Sequence, residues 1–402
     1  MMILPKTISL ILKFLENSGY EAVVVGGAVR DYLLGKTPND YDISTNARPE
    51  EIKKVFHRYH TLDIGIKHGT VTVFINSRQV DITTYRSEKD YEDFRHPKEV
   101  VFETSLEEDL KRRDFTINAI CFNRILIDHV DGIKDLNKKI IRAIGDPKER
   151  FSEDPLRILR ALRFAAILDF KIEEITRKAI FEEAELLRMV SSERINLELS
   201  KLLLGQAAIR VIREYSHVFK VFIPELLSDL DFNLNVLEKV DNLPTKLAAF
   251  LYTIPAEVAS EILKRLKYSK NQIAGVVFLL ENETLILKPD MKEIGKLLKN
   301  YDLNDLKMLA KFQIALSFAL KKDDSNLKEV LEILNKVDLH KCYRLKDLAV
   351  SGRDLLKLGF EEGVKIRILL DKLLDLVIEG SLENEKTELL DYLKKNFLNN
   401  MK

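Results

Sequence analysis

The hydrophobic pattern of this 402-residue chain changes character near residue 146. Before that point apolar residues come in short runs and alternations. "EAVVVGG" (21–27) is an apolar run stopped by two glycines, the pattern of a short buried strand. "AVRDYLLG" predicts a short helix closed by Gly35. "DYDIST" (40–45), just after Pro38, predicts a second strand. "HGTVTVFINSRQVDITTYR" holds two alternating β-branched runs that meet at Asn76-Ser77, so it predicts a hairpin. "TINAICFN", "RILIDHV" and "IIRAIGD" add further short apolar segments. The early "ISLILKFL" predicts an amphipathic helix running toward Gly19. Broken by Lys13 and Glu16, it is too short for a signal peptide or membrane span.

After Asp146-Pro147 the period becomes helical. "DPLRILRALRFAAIL" spaces its apolar residues for a helix, and Leu, Ile, Glu and Lys dominate to the end. Breaks are expected near Gly205, "VFIPELL", "LKPDM" and "LAVSGRDLLKLGF". The expected fold class is α+β: a small mixed β-sheet with helices, followed by an all-α remainder.

Composition narrows the class. With 46% hydrophobic and 32% charged residues, the chain reads as soluble and globular, and its length predicts two to four domains. The 64 basic and 64 acidic side chains cancel. A nucleic-acid partner would therefore need a local basic surface. Cys121 and Cys342 are far apart and have no metal-ligand spacing. They read as buried thiols of a reducing compartment, and a cytoplasmic location is expected.

The chemistry starts at Gly26-Gly27. Alone, a glycine pair is a tight turn and Asp-x-Asp a pair of surface residues. Together they say more. Residues i and i+2 of a strand share a face, so Asp40 and Asp42 present two carboxylates side by side. Like charges that close call for a cation or a shared proton, and magnesium with oxygen ligands fits, with triphosphate oxygens completing the set. The glycines admit a close ligand, the following helix offers free N–H groups, and Arg30 adds charge.

"GGAVRD" followed by "DYD" resembles the signature of the class II tRNA nucleotidyltransferases (CCA-adding enzymes) and the bacterial poly(A) polymerases. In that family a third carboxylate lies beside the metals, and Asp81 of "QVDITTYR" takes that place. "EEDLKRRDFTINAI" (107–120) matches the next motif. The resemblance implies that Arg113 contacts phosphates while Asp114 and Asn118 touch the ribose. "IDHVDGIKDL" (127–136) matches a head–neck coupling motif at Asp128, Gly132 and Asp135, but has His129 and Asp131 where proline and glycine are commoner. "ERFSEDPLRILRALRFAA" (149–166) matches the nucleotide-recognition motif at Glu153, Asp154 and Arg157. Residues three apart on a helix are neighbours, so Asp154 and Arg157 are expected to act as one unit. A carboxylate accepting from an exocyclic amino group and a guanidinium donating to a ring nitrogen would select C and A over U and G. Arg160 and Arg163 are further nucleotide contacts by resemblance. "SSERINLELSKLLL" (191–204), with Ser192 as its expected cap, resembles the last motif and is expected to brace the neck.

The resemblance implies four parts: a catalytic head (1–146), a nucleotide-recognising neck (147–210), a helical body (211–330) and a tRNA-binding tail (331–402). It implies Mg2+, CTP and ATP as ligands, tRNA held at its acceptor stem and elbow, and no membrane. The oligomeric state is open. The expected activity is template-independent CCA addition by two-metal transfer with release of pyrophosphate. "GIKHGTVTV" (65–73) looks like the CCA-adding version. "YRSEKDYEDFRHPKEVVF" (85–102) has the full length of the family's flexible loop, which argues against a CC-only product. A-adding relatives keep that loop, so A-only addition stays open. The basic stretch of many bacterial poly(A) polymerases is not seen. An inactive RNA-binding protein would be expected to lose Asp40, Asp42 or Arg30, and all three are present. The seven scattered histidines form no His-Asp pair of a phosphohydrolase.

Overall fold

A computed structural model of the chain describes residues 2–63, 65–91, 97–102, 105–226, 230–338 and 341–398. Contacts divide the chain into two compact units, Met1–Leu226 and Leu227–Lys402. The first unit takes in both the expected head and the expected neck.

The first unit opens with helix α1, Lys6–Asn17, whose Ile8, Ile11, Leu12 and Leu15 form its buried face. Strand β1, Ala22–Val25, is buried at all four residues. Helix α2, Gly27–Leu33, follows directly. β2, Asp42–Thr45, pairs antiparallel with β1, and helix α3, Pro49–Val55, leads to β3, His60–Leu62. β4, Thr70–Ile75, and β5, Arg78–Thr84, form the predicted hairpin. Its two turn residues, Asn76 and Ser77, both take positive φ (49° and 60°), as a type I′ turn requires. β8, Cys121–Asn123, and β9, Ile125–Ile127, complete a seven-stranded mixed sheet, order β3-β4-β5-β2-β1-β8-β9.

Between β5 and β8 lies the segment expected to be a flexible loop. Instead, β6, Arg86–Tyr91, and β7, Pro97–Phe102, pair antiparallel as a separate ribbon. Its dense charge disguised two strands. Residues 92–96 lie outside the described residues. Helix α4, Leu106–Lys111, and a single 3-10 turn, Thr116–Asn118, follow the ribbon. Val23, Val25, Leu110, Ala119, Cys121 and Ile144 close one apolar core beneath them.

Beyond the sheet, helix α5, Gly132–Lys138, is tied to the core by Asp135, which accepts from Thr116 Oγ1 (2.8 Å) and Arg142 Nε (2.9 Å). Helices α6, Pro147–Glu153, and α7, Leu156–Leu168, come next, then α8, Glu174–Glu183, and α9, Ser192–Leu203. α7 buries most of its length, including Leu156, Ile158, Leu159, Leu162 and Phe164. Each such side chain contributes about 1.5–3 kcal/mol when removed from water. After α9 the chain turns back at Gly205. A Cβ there would meet the Ala166 carbonyl carbon at 2.7 Å, and the Ala207 N–H donates to Ala166 O at 2.9 Å. Only glycine lets the backbone lie this close to α7.

Among the described residues, the second unit is built of helices from Asp231–Glu238 to Lys386–Leu393. Leu355, Leu369, Leu373, Leu389 and Leu393 close an apolar core at its C-terminal end, with Cys342 at the edge. Both cysteines are free and buried, and burial pushes their thiols up, to about 12 at Cys121 and about 11 at Cys342.

Candidate active site

β1 ends at Val25, and Gly26 takes φ +77° and ψ −135°, a conformation open to glycine and strained for other residues. The turn starts α2 and carries Arg30 inward, where it is 9% exposed. Its Nη1 donates to Asn118 Oδ1 at 2.7 Å and its Nε to Asp31 Oδ1 at 2.9 Å.

Asp40 is exposed, Tyr41 buried and Asp42 exposed, the alternation expected of two carboxylates on one side. β2 itself begins at Asp42, so Asp40 stands on its lead-in. Asp42 pairs in register with Asp81 of parallel β5. Thr72, opposite Asp81 on β4, donates Oγ1 to Asp81 Oδ1 at 2.6 Å. Desolvation by the surrounding protein pushes the Asp42 carboxyl up, although part of the residue meets water. Arg113 counters this, and the Asp81 and Asp40 charges add to it. Among the described residues, no group of three or more His, Cys, Asp or Glu is placed to hold a metal by itself.

Asp114 is tightly held. Oδ1 accepts from the Phe115 N–H (2.8 Å) and Asn118 Nδ2 (3.1 Å), and Oδ2 from Arg160 Nε (2.8 Å) and Nη2 (2.5 Å). Burial alone would raise this carboxyl; the Arg160 guanidinium overcomes it and holds the pKa down at about 2. Arg160, Asp114, Asn118 and Arg30 thus form one hydrogen-bonded chain from neck to head.

The expected Asp154–Arg157 unit on a single helix is not found. Asp154 ends α6 in extended conformation (φ −144°, ψ 94°), because Pro155 disfavours helical geometry in the residue before it. Arg157 lies in the first turn of α7. Asp154 Oδ2 accepts from Arg194 Nη2 at 2.7 Å, and Oδ1 from the Leu156 N–H at 3.2 Å. Arg157 donates to Glu153 Oε2 at 2.8 Å and to the Arg150 and Arg112 carbonyls, each at 3.2 Å. Arg163 pairs with buried Glu198 at 3.1 Å. The guanidiniums of Arg163, Arg30 and Arg160 lie 4.1, 5.1 and 5.6 Å from the Phe164 ring centroid, a cation–π cluster in the cleft floor.

These groups line one cavity of about 650 Å3. Gly26, Gly27, Arg30 and Asp42 reach it from the head, Arg113, Asp114 and Asn118 from the segment after α4, and Asp154, Arg157, Arg160 and Arg163 from the neck. Asp40 and Asp81 stand beside it without lining it. Eight arginines against three aspartates make the lining strongly positive in a chain of zero net charge. The sequence reading missed Arg86, Arg112, Phe164 and Arg194. The stretch 191–204, expected only to brace, also supplies Arg194 to the Asp154 carboxylate; its N-cap is Ser191 rather than Ser192. No described helix is long and apolar enough to cross a membrane.

Three family models match: a poly A polymerase head domain over residues 22–142, a probable RNA and SrmB-binding site of polymerase A over 169–230, and a putative tRNA nucleotidyltransferase domain 2 over 239–393. The CCA-adding enzyme of Pediococcus pentosaceus is 37% identical, with 96% of each chain covered. That of Enterococcus faecalis is 38% identical over 96% of this chain and 94% of its own. Among solved structures, the Bacillus stearothermophilus CCA-adding enzyme in complex with CTP superposes with a TM-score of 0.81 at 28% identity, covering 100% of this chain and 99% of its own. Full-length identity of this order places the chain in the family of the class II tRNA nucleotidyltransferases, the CCA-adding enzymes.

Proposed function

We infer that the chain works as its family does: it adds CCA to the 3′ end of tRNA from CTP and ATP, without a template and with release of pyrophosphate. The observation that carries the reading is one positive cavity in which Gly26, Arg30 and Asp42 face Asp154 and Arg157.

The individual roles are those the family resemblance implies, and the chemistry of each group suits its role. Asp40 and Asp42 would hold magnesium, with Asp81 assisting; hard carboxylate oxygens and a raised Asp42 fit a divalent cation. When bound, such a pair lowers the pKa of the attacking hydroxyl and clamps the triphosphate. Gly26, Gly27, Arg30 and Arg113 bind the phosphates. Asp114 and Asn118 receive the ribose, with Arg160 keeping Asp114 ionised and so able only to accept. Asp154 and Arg157 read the amino group and ring nitrogen shared by C and A, and Arg160 and Arg163 keep this end of the cleft positive. We assign residues 1–146 to the head, 147–210 to the neck, and 211–330 and 331–402 to a body and tail that hold the tRNA acceptor stem and elbow through phosphates and shape. We assign this work to the cytoplasm, the compartment expected for a tRNA-processing enzyme.

The test supplies CTP, ATP or both, with magnesium, to tRNAs lacking three, two or one terminal nucleotide. Completion of all three supports the reading. Addition of A alone, only to the last, makes it an A-adding enzyme. Long A tails on unrelated RNA make it a poly(A) polymerase.

A further inference from the structure

Two arginines of the cleft converge on a carboxylate outside the cavity lining. Asp109, on α4, is 0% exposed. Its Oδ2 accepts from Arg113 Nη2 at 3.0 Å. Its Oδ1 accepts from Arg112 Nη2 at 2.7 Å, from Arg112 Nε at 3.1 Å and from the Arg86 backbone N–H at 3.3 Å. Arg86 is the first residue of β6, where the ribbon leaves the sheet. Arg113 Nη2 also donates to Ser44 Oγ at 3.0 Å, and Ser44 lies two residues from Asp42 on β2. The Arg112 carbonyl accepts from Arg157 at 3.2 Å. One buried side chain thus joins the root of the ribbon, two guanidiniums that line the cavity and the peptide unit that supports Arg157.

Burial alone would raise the Asp109 carboxyl; Arg113 and Arg112 overcome that and hold it below the ordinary range, so it is a full negative charge. A buried carboxylate confines its donors in angle as well as distance. Ser44 confines the same Arg113 nitrogen from a second direction. The Arg113 guanidinium is therefore placed before any ligand arrives.

We propose that Asp109 is a positioning residue for nucleotidyl transfer: it sets Arg113 and Arg112 for the incoming triphosphate and ties the root of the β6–β7 ribbon to them. This rests on the phosphate-binding reading of Arg113. The ribbon root and the triphosphate site then respond to each other through a single carboxylate.

Steady-state CTP addition to a tRNA lacking its CCA end tests the proposal. Asp109→Asn keeps the shape but weakens the grip on both arginines. The KM for CTP should rise about tenfold or more while kcat changes by less than about threefold, as for lost ligand binding. Asp109→Glu should recover part of the loss. In an Arg113→Gln background, Asp109→Asn should add little, because both act through one group. An unchanged KM in Asp109→Asn, with KM raised in Arg113→Gln, overturns the proposal alone. An unchanged KM in Arg113→Gln overturns it together with the phosphate role it rests on. Wild-type protein supplies a measurement independent of any variant's folding: CTP binding should slow hydrogen exchange at the Arg86 amide. Unaltered exchange at saturating CTP overturns the tie to the ribbon.

Discussion

The two ends of the cleft are built by different means. At the head end the backbone places the turn and the carboxylates: the φ of Gly26 aims α2, and the register of β2 against β5 places Asp42 beside Asp81. At the neck end side-chain pairs do the placing: Arg194 with Asp154, Glu153 with Arg157, Glu198 with Arg163. A backbone-set group has one position. A paired side chain holds its place only through its partner, and losing that partner leaves a charge without compensation, at greatest cost where the pair is buried, as for Arg163 and Glu198. The difference teaches that the head-end turn and carboxylates hold their places through the main chain, while the neck residues hold theirs through one another.

The comparison breaks most visibly at the head. Asp40→Ala with Asp42→Ala should lower transfer at least about 10^3-fold, because metal catalysis supplies several kcal/mol and each 1.36 kcal/mol is tenfold. Persisting CTP incorporation in this variant would remove the metal assignment. Asp154→Ala should act on choice rather than rate: the preference for CTP over UTP should fall about 10- to 100-fold in competition assays. An unaltered ratio would mean that the base is read elsewhere. Arg194→Ala leaves the carboxylate in place but loosens it, so kcat/KM for CTP should fall about tenfold, with most of the base preference kept.

A gentler probe uses Asp114, whose folded-state pKa is depressed to about 2 by Arg160 after burial is overcome. Its stabilising effect is full above the unfolded carboxyl pKa of about 3.9 and is lost as pH falls through the folded value. Urea midpoints of wild type and Asp114→Asn should therefore differ most above about pH 4 and converge toward about pH 2. A gap independent of pH would detach Asp114 from Arg160. Smallest of all, Ser77→Gly relieves a left-handed residue in the β4–β5 turn and should raise stability by a few tenths of a kcal/mol without changing activity. A fall in the thermal midpoint would contradict the type I′ reading.

Much of the head was legible because its signals are local. The run before Gly26, the alternation around Asn76-Ser77 and the glycine pair each act within a few residues. The neck was legible as helix and as motif, but not as geometry. Pro155 breaks the helix between Asp154 and Arg157, and helical spacing hid the break although the proline announces it. Arg194 meets Asp154 across 40 residues of chain, and Arg113 meets Ser44 across 69. Such pairs follow from packing, which no local pattern encodes. The β6–β7 ribbon escaped notice for the opposite reason: its charges read as solvated loop, and strand pairing overrode them.

Gly205 gives the neck a further property. Its bare backbone lies against Ala166 of α7, and the same helix carries Arg157, Arg160 and Arg163 into the cleft. The missing methyl therefore acts as a tolerance setting on a machined shaft. An added carbon there touches no substrate, yet it would shim the shaft and misalign every tool mounted along it. The alignment of those three arginines is guarded partly by an atom that is not there.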